Sequence, residues 1–428
     1  MSSLAKYHLS KGNTVSGSDL SSSEITDELK TAGARIFIGK HKKSNIPQET
    51  EKVIYTVATP EKNLERAEAK KRDIPCESYA EAIAALTREH KTITISGAHG
   101  KSTTTALTGL VLEEGYFDPT VIVGTKVKEF GDSNFRRGRS GYLVLEADEY
   151  NKTFLHYSPF IAAITNIDAE HLDTYQTVEG VEEAFEEYCA KVPDEGAIVA
   201  NRDDKRVKRI AKRFGKKVKW FSTDQPEARV VRNVLQIPGE HNVSNALAAL
   251  HIGRTLGIHE PAILEALGRF RGAWRRFEFK GIINGAFVFS DYGHHPTEII
   301  ATLKAARGRF PFRRIWCVFQ PHHYGRLASL WKEFSRAFDL ADRVMLLPMY
   351  EVAGREDNVM EKTVNSIALS HTLLGRGKNS SHADSFDQAH GLLVSEIRPG
   401  DVVLMMGAGD IYKFTNDFVS NKLSTAKK

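Results

Sequence analysis

Short apolar runs alternate with helical stretches along nearly all of the 428 residues, and this alternation constrains the fold more than any other feature. Typical runs are KVIYTVATP, KTITISG, GYLVLEADE, FIAAITNID and DVVLMMG. In such a pattern each run is a buried strand, and each helical stretch crosses back over the sheet to the next strand. The sequence therefore predicts an α/β fold with mostly parallel sheets.

The length of the chain allows about three domains, at roughly 150 residues for an ordinary domain. The strand–helix alternation restarts twice, once before KTITISG and once after an Arg-rich stretch at Arg271, Arg275 and Arg276. We therefore place domain boundaries near residues 88 and 270.

The composition indicates a soluble globular protein, with 41% hydrophobic and 26% charged residues. A net charge of +5 over 428 residues is too dilute for a nucleic-acid-binding surface. No stretch reaches about 18 continuous apolar residues, and the polar start MSSLAKYHLSKGN lacks the apolar core of a signal peptide. Three scattered cysteines without metal-ligand spacing (Cys76, Cys189 and Cys317) suit a reducing compartment, and we expect each thiol to be buried. The sequence predicts a cytoplasmic monomer or weak homodimer that binds neither nucleic acid nor a membrane.

A glycine-rich segment, GAHGKST (97–103), follows one predicted strand and opens a helix. It resembles a phosphate-binding loop shortened by two residues between its glycines. Backbone N–H groups in such a loop surround phosphate oxygens, and the positive end of the helix dipole faces them. Lys101 would contact the terminal phosphates of ATP, and the Ser102 hydroxyl would bind Mg²⁺. The nucleotide-binding residues predicted from this segment are Gly97, His99, Gly100, Lys101, Ser102 and Thr103.

Two later strands end in acidic clusters, LEADE (145–149) and TNIDAEHLD (165–173). The carboxyl ends of parallel strands meet at one edge of a sheet, where ligands bind. Carboxylates beside an anionic nucleotide repel it unless a divalent cation lies between them, so these clusters favour Mg²⁺. On chemistry alone His171 would be an unusual ligand for this ion. The alternative interpretation is that these acids cap helices or face solvent.

Two further motifs lie at predicted helix starts. In GEHNVSNA (239–246) the amides of Asn242 and Asn245 are three residues apart, so both lie on one helix face and could contact an adenine edge. SDYGHHPTE (290–298) follows a strand, and its Pro296 fits the first turn of a helix. A basic run at 206–220 could bind a polyanion, but a solvated helix followed by a turn and a strand is the favoured interpretation.

Nine motifs occur in a fixed order along the chain: SGSDL with SEIT (16–26), GAHGKSTTT (97–105), LEADE (145–149), TNIDAEHLDTY (165–175), GEHNVSNALAA (239–249), RRFE (275–278), DYGHHPTEI (291–299), FQPHHYGR (319–326) and GAGDIY (407–412). Together they resemble the Mur ligase family of peptidoglycan synthesis, and the resemblance covers essentially the whole chain. It implies an N-terminal Rossmann-like domain for the UDP-sugar (1–88), a central P-loop ATPase domain (89–269) and a C-terminal Rossmann-like domain for the amino acid (270–428).

The resemblance also implies an activity. The muramyl carboxylate of UDP-N-acetylmuramate attacks the γ-phosphate of ATP to give an acyl phosphate, and the amine of an amino acid then displaces phosphate. The motifs are most similar to those of members that attach L-alanine, with PHHYGR (321–326) matching their HxYxR pattern. The implied ligands are therefore ATP, Mg²⁺, UDP-N-acetylmuramate and L-alanine.

The residue roles below are carried over from the family's motifs. Lys101, Glu146, His171, His294 and Arg326 match catalytic positions. Ser102, Glu146 and His171 match the ligands of Mg²⁺. Asn242, Asn245, Arg276 and Asp291 match nucleotide contacts. Tyr324 lies near the amino-acid site, and Asn134 and Phe135 lie in the region that contacts the sugar nucleotide. The group that deprotonates the attacking amine is left open between His294 and His295.

One departure from the family lies at the start of the chain. Family members begin with a strand and a glycine-rich turn of the type GIGGIGMSGLA, whereas Met1–Ala5 here align with MSGLA alone. We expect the N-terminal domain of this chain to be truncated and to lack its first strand, with the start codon assigned at an internal methionine or the gene cut.

Two alternatives to L-alanine ligation stay open. A murein-peptide recycling ligase, which joins a whole tripeptide to UDP-N-acetylmuramate, shares the ATPase motifs. A truncated relative that binds ATP with little activity would also fit the missing strand, although such a protein has no need of Lys101, Glu146, His171 and Asp291.

Overall fold

The computed structural model describes residues 1–169, 172–350 and 363–420. The chain divides into two compact units, Met1–Leu235 with Val243–Phe270, and Gln236–Asn242 with Arg271–Lys428. In the described part of the chain, no helix combines the length and the apolar character needed to cross a bilayer.

The N-terminal segment of the first unit carries short strands between helices. Its elements are α1 (Ser2–Ser10), β1 (Ser16–Asp19), α2 (Glu24–Thr31), β2 (Arg35–Ile38), β3 (Val53–Tyr55), α3 (Leu64–Lys71), β4 (Cys76–Ser78) and α4 (Tyr79–Glu89). The strands form two parallel pairs, β1 with β2 and β3 with β4. Capping boxes at Ser23 and Ser78 begin α2 and α4, because each serine accepts a hydrogen bond from the backbone N–H three residues on.

The rest of the first unit is built on a seven-stranded sheet. Its strands are β5 (Lys91–Ser96), β6 (Thr120–Val127), β7 (Ser133–Arg136), β8 (Tyr142–Glu146), β9 (Ile161–Ile164), β10 (Ala197–Asn201) and β11 (Val218–Phe221), in the order β11-β10-β9-β5-β8-β6-β7. Its helices are α5 (Lys101–Glu114), α6 (Leu172–Tyr175), α7 (Val178–Ala190), α8 (Lys205–Ala211), α9 (Glu227–Val234), α10 (Glu240–Thr255) and α11 (Glu260–Arg269). All strand pairs are parallel except β6–β7, so β7 is an antiparallel edge strand.

Strand β5 is buried over its last five residues, because helices cover both faces of this sheet. Helix α5 packs on β6, β8 and α11. On the other face, Leu143 and Leu145 of β8 join a core with Ile83 of α4 and Phe185 of α7. The sheet is therefore a rigid support for the loops at the carboxyl ends of its strands.

The second unit contains a six-stranded sheet in the order β12-β13-β17-β14-β15-β16. Its strands are β12 (Glu278–Ile283), β13 (Ala286–Asp291), β14 (Ile315–Phe319), β15 (Arg343–Leu346), β16 (Ser380–His382) and β17 (Val402–Met406). Its helices are α12 (Pro296–Arg309), α13 (Tyr324–Ser329), α14 (Trp331–Ala337), α15 (Ser366–Gly375), α16 (Phe386–Glu396) and α17 (Ile411–Val419). Only the edge pair β12–β13 is antiparallel among the described strands of this sheet.

Alternate residues of the central strands of this sheet enter two different apolar cores. In β14, Ile315, Cys317 and Phe319 lie in one core, and Trp316 and Val318 lie in the other. The first core is completed by helices α12 to α15 and the second by α16 and α17. A parallel strand covered on both faces reads as a continuous apolar run, which is how RIWCVF appears in the sequence.

A polar cluster stands at the amino-terminal ends of β14 and β17. The Asp401 carboxylate, only 5% exposed, accepts hydrogen bonds from Arg314 Nη2 at 2.6 Å, from the Trp316 indole N–H at 3.1 Å and from the Arg398 backbone N–H at 2.9 Å. Burial alone would raise the pKa of Asp401, but these donors outweigh it and hold the pKa below its ordinary value. Asp401 is therefore ionised and fully engaged in the folded chain.

The basic run at 206–220 forms α8, a 3₁₀ helix at Lys212–Lys217 and β11, so the predicted helix and strand are present and a 3₁₀ helix replaces the predicted turn. Its arginines form ion pairs with the acidic face of α7, including Arg209 with Glu182 and Arg213 with Glu186. The prediction that every cysteine thiol is buried is wrong for Cys76, which is exposed because it lies on the short strand β4, whereas Cys189 and Cys317 are buried.

We expect Asp401→Asn to lower the free energy of unfolding by about 3 kcal/mol at neutral pH, because it leaves Arg314 without its buried carboxylate. The folded-state pKa of Asp401 lies below the ordinary value of 3.8, so its stabilising effect is complete above that pH and is lost as the pH falls further. Thermal melts from pH 3 to 8 should show the difference between variant and wild type shrinking in acid. The exposed Asp339→Asn serves as the control, and an equal loss in both variants would contradict the assignment.

Candidate functional site

The first unit brings three loops together at the carboxyl end of β5. This strand lies between β8 and β9, and the register pairs Ile95 with Glu146 and Ser96 with Ile164. The segments that follow all three strands therefore meet at one sheet edge, where ligands of open α/β sheets bind. They are the glycine-rich loop 97–102, the acidic end 146–149 and the segment 165–168.

Both glycines of the loop are required by its geometry. Gly97 has φ +134° and Gly100 has φ +84°, values in the region that favours glycine. A Cβ atom on Gly97 would lie 2.2 Å from Thr165 Oγ1, and one on Gly100 would lie 2.3 Å from Asn245 Oδ1. The predicted nucleotide-binding residue Asn245 is thus in direct contact with the loop.

The segment after β9 fixes the loop from the side. The Asn166 side chain forms two hydrogen bonds with the backbone of His99, accepting from its N–H and donating to its carbonyl, both at 2.8 Å. Thr165 Oγ1 also donates to the His99 carbonyl at 2.7 Å. The His99 imidazole itself contacts Asp168 Oδ2 at 3.2 Å. The backbone of His99 is therefore held by the segment after β9, and Thr103 is buried in the first turn of α5.

Lys101, the first residue of α5, has its ammonium group surrounded by oxygen atoms. Nζ lies 2.8 Å from the Gly97 carbonyl and 3.0 and 2.9 Å from the two carboxylate oxygens of Glu149. Glu149 is almost completely buried, and burial raises its pKa to about 7 although Lys101 acts in the opposite direction. The sequence named Glu149 in the acidic cluster but gave no reason to pair it with Lys101.

Ser102 and Glu146 form the oxygen pair predicted to bind a metal ion. Ser102 Oγ donates to Glu146 Oε1 at 2.9 Å, and the Gly124 N–H donates to Glu146 Oε2 at 2.7 Å. Burial raises the pKa of Glu146, although the Gly124 and Ser102 hydrogen bonds and the nearby Lys101 act in the opposite direction. A hydroxyl and a carboxylate are hard oxygen ligands, so this pair fits Mg²⁺. The third predicted ligand, His171, lies outside the described residues.

The region predicted to contact the sugar nucleotide lies on the antiparallel edge strand β7. Asn134 Nδ2 donates to Ser2 Oγ at 2.8 Å, and the Phe135 ring packs edge-on against Tyr7 of α1. The structure thus joins this strand to the first helix of the same unit.

In the second unit, the carboxyl end of β13 carries the buried Asp291. Its carboxylate accepts hydrogen bonds from the backbone N–H groups of Gly293 at 2.8 Å and Phe277 at 2.9 Å. Burial raises the pKa of Asp291 above its ordinary value, against the nearby Arg276. The neighbouring Arg275 donates to the Gly407 carbonyl at 2.6 Å and ties the motif GAGDIY to this site.

Glu298, in the first turn of α12, connects three of the predicted residues. Its Oε1 accepts from Arg276 Nη1 at 3.2 Å, and its Oε2 accepts from the backbone N–H groups of His294 at 3.0 Å and His295 at 3.2 Å. The His295 imidazole accepts from the Thr297 N–H as the N-cap of α12. The sequence had left His294 and His295 equivalent, and the structure gives His295 a capping role.

His294 is oriented differently. Its Nδ1 lies 3.2 Å from the Tyr292 carbonyl and 3.3 Å from Glu298 Oε2, two groups that only accept hydrogen bonds. Nδ1 must therefore carry a proton, which leaves the lone pair of the neutral ring on Nε2. The ring packs edge-on against His322, which stacks on Tyr350.

The remaining predicted residues of this unit also have defined positions. Arg326 lies in α13 with Tyr324, and its buried Nη1 has no hydrogen-bond partner among the described residues. Asn242 is buried and donates to the Pro238 carbonyl at 2.6 Å. His323, which precedes α13, has φ +69°, a strained value for a residue with a side chain.

Three family descriptions match consecutive parts of the chain. The Mur ligase family catalytic domain matches residues 1–91, the Mur ligase middle domain residues 95–253, and the Mur ligase glutamate ligase domain residues 275–409. The UDP-N-acetylmuramate–L-alanine ligase of Clostridium acetobutylicum is 38% identical over 444 residues, covering 98% of this chain and 95% of that protein. The chain belongs to the Mur ligase family. The same ligase of Pelotomaculum thermopropionicum is 39% identical to this Mur ligase over 436 residues, covering 96% and 93% of the two chains.

Solved structures agree with this assignment. A UDP-N-acetylmuramate–alanine ligase of Thermotoga maritima has a TM-score of 0.81 and 27% identity, covering 99% of this Mur ligase and 97% of that chain. A murein peptide ligase of Psychrobacter arcticus has a TM-score of 0.69 at 21% identity, covering 99% and 96%, which is a likeness of fold. The predicted α/β fold of three domains, with a mostly parallel central sheet and a Rossmann-like C-terminal domain, is confirmed. The residue roles stay predictions.

We expect Gly100→Ala to lower phosphate release from ATP by about 100-fold or more, because the added methyl group forces Asn245 and the loop apart. Gly215→Ala is the matched control. Gly215 also has a positive φ of +54°, with ψ −122°, but a Cβ atom added there would meet no atom within 4 Å, so this change should cost about 1–3 kcal/mol of stability through backbone strain alone. Equal effects on the rate would show that backbone strain, and not the contact with Asn245, decides the outcome.

Proposed function

We propose that this Mur ligase joins L-alanine to the lactyl carboxylate of UDP-N-acetylmuramate, with hydrolysis of ATP to ADP and phosphate, in peptidoglycan precursor synthesis. The observation that carries the proposal is the glycine-rich loop at the carboxyl end of β5, whose Ser102 is hydrogen-bonded to Glu146. Relatives that are 35–39% identical over nearly the whole chain bear the name of this activity.

The first half-reaction transfers the γ-phosphoryl group to a carboxylate, which brings two anions together. Loop N–H groups at the start of α5 and the Lys101 ammonium would bind the phosphates and offset this repulsion. Ser102 and Glu146 would hold a Mg²⁺ ion, with His171 as the third proposed ligand. A bound Mg²⁺ supplies positive charge next to the transferred group.

The second half-reaction needs a neutral amine, although the amine of a free amino acid is mostly protonated near pH 7. The protonated Nδ1 of His294, held by Tyr292 and Glu298, leaves Nε2 as a proton acceptor. We assign the general base to His294 on this ground, because His295 is engaged as a helix cap. The buried Nη1 of Arg326, which has no partner in the described chain, suits the carboxylate of the amino acid.

Phosphate release from ATP by the purified chain tests the proposal directly. The assay contains UDP-N-acetylmuramate and Mg²⁺, with L-alanine, glycine, L-serine or the tripeptide added in turn. Release that needs both the sugar nucleotide and L-alanine supports the proposal. Release driven by the tripeptide would identify a recycling ligase instead, and ATP binding without release would identify a nucleotide-binding relative.

Lys101→Ala and Glu146→Ala should each lower ligation by at least about 10²-fold, because Lys101 is the proposed phosphate contact and Glu146 a proposed ligand of Mg²⁺. Lys216→Ala should leave the rate unchanged, since Lys216 is exposed in the basic run and is not one of the predicted site residues. Equal losses in the three variants would contradict the proposed site. Steady-state phosphate release measures all three.

His294→Ala should lower kcat by about 10² to 10⁴-fold, the usual contribution of a general base. The loss should be smaller at high pH, where more of the amine is already neutral. His371→Ala, on the exposed face of α15, is the control. A loss in His294→Ala that does not change with pH would assign His294 a purely structural role.

A further inference from the structure

The Lys101 ammonium is fully engaged by protein oxygens. An ammonium group has three donors. Here the two Glu149 oxygens and the Gly97 carbonyl lie within 3.0 Å of Nζ, and the Ala98 carbonyl lies at 3.3 Å. Lys101 therefore cannot contact a phosphate oxygen without giving up at least one of these partners.

Glu149 is held in place by burial of its side chain and by hydrogen bonds to its backbone. Its side chain is 3% exposed, against 14% for that of Lys101. Its backbone carbonyl accepts from Tyr175 Oη at 2.5 Å and from the Lys152 N–H at 3.0 Å. Two and three residues further on, Asn151 and Lys152 adopt positive φ angles of 53° and 58°, so there is backbone strain in the turn that follows this carboxylate.

A buried carboxylate opposes nucleotide binding in two ways. It competes with the phosphates for the Lys101 ammonium, and it repels a polyphosphate that enters the same loop. Asp148 also lies 3.7 Å from Lys101 Nζ, but it is 55% exposed, so solvent screens its charge. The competition therefore rests mainly on Glu149.

We propose that Glu149 is a positioning residue that stores the Lys101 ammonium away from the phosphate site, so that nucleotide binding is an exchange of the lysine from this carboxylate to the phosphates. The inference rests on the proposed nucleotide site and adds a residue that sets its affinity. Storage reduces the apparent affinity, since only the fraction of molecules with Lys101 released binds phosphate at full strength.

Isothermal titration calorimetry of the full chain tests the exchange. The ligands are Mg·ADP and a non-hydrolysable ATP analogue, at pH 8 and constant salt. Glu149→Gln should bind both nucleotides about three- to tenfold more tightly than wild type. The neutral amide holds the Lys101 ammonium less strongly than the carboxylate does, so a larger fraction of molecules has Lys101 released. Glu149→Met, of similar length and apolar, should act in the same direction and serves if the Gln variant does not fold. Glu195→Gln, an exposed change of the same net charge, should leave the affinity unaltered.

The same change in a Lys101→Ala background separates storage from simple repulsion. If Glu149 acts through Lys101, the gain disappears in the double variant. An equal gain in that background overturns the proposal, and so does unchanged or weaker binding by folded Glu149→Gln and Glu149→Met. If Lys101→Ala alone binds nucleotide as well as wild type, the proposed nucleotide site itself is wrong, and this inference fails with it.

Discussion

The pairing of β5 with β8 on one side and β9 on the other is the constraint on which the first unit's site depends. Because all three strands are parallel, their carboxyl ends share an edge, and the loops that follow them must meet. The glycine-rich loop then receives its two supports from its neighbours. Asn166 holds its backbone, and the acidic end of β8 holds its lysine and serine. No single segment of the chain contains this site.

In the second unit, a single carboxylate holds three of the predicted residues in place. Glu298 holds Arg276 with one oxygen and the backbone of the two histidines with the other. A glutamate in the first helical turn is also favourable for the helix dipole. The motif HHPTE therefore combines a helix start with the orientation of a guanidinium group and an imidazole ring.

The sequence predicted several of the elements that combine an apolar run with a distinct turn. The predicted strands include β5, β8, β9, β13, β14, β15 and β17. Both faces of these strands are covered, so each appears in the sequence as an apolar run. The edge strands β7 and β12 were not predicted, because β7 is mostly polar and β12 exposes Phe279 and Ile282. The partnership of Lys101 with Glu149 could not be predicted either, since several acids follow β8 and β9 closely and only the fold shows which one is buried. Likewise, the difference between His294 and His295 depends on where α12 begins.

The Arg314–Asp401 pair has a consequence for strand alignment. In β14 and β17 every residue faces an apolar core, so a shift of one position would move side chains between two cores of equal polarity. When one face of a strand is exposed to solvent, the alternation of apolar and polar residues fixes the register of the strand. That alternation is absent here and cannot fix the register of β14 and β17. A buried ion pair at the start of both strands can, because a slipped strand would leave the Asp401 charge without its donors. The pair therefore fixes the register of β14 and β17 in the six-stranded sheet.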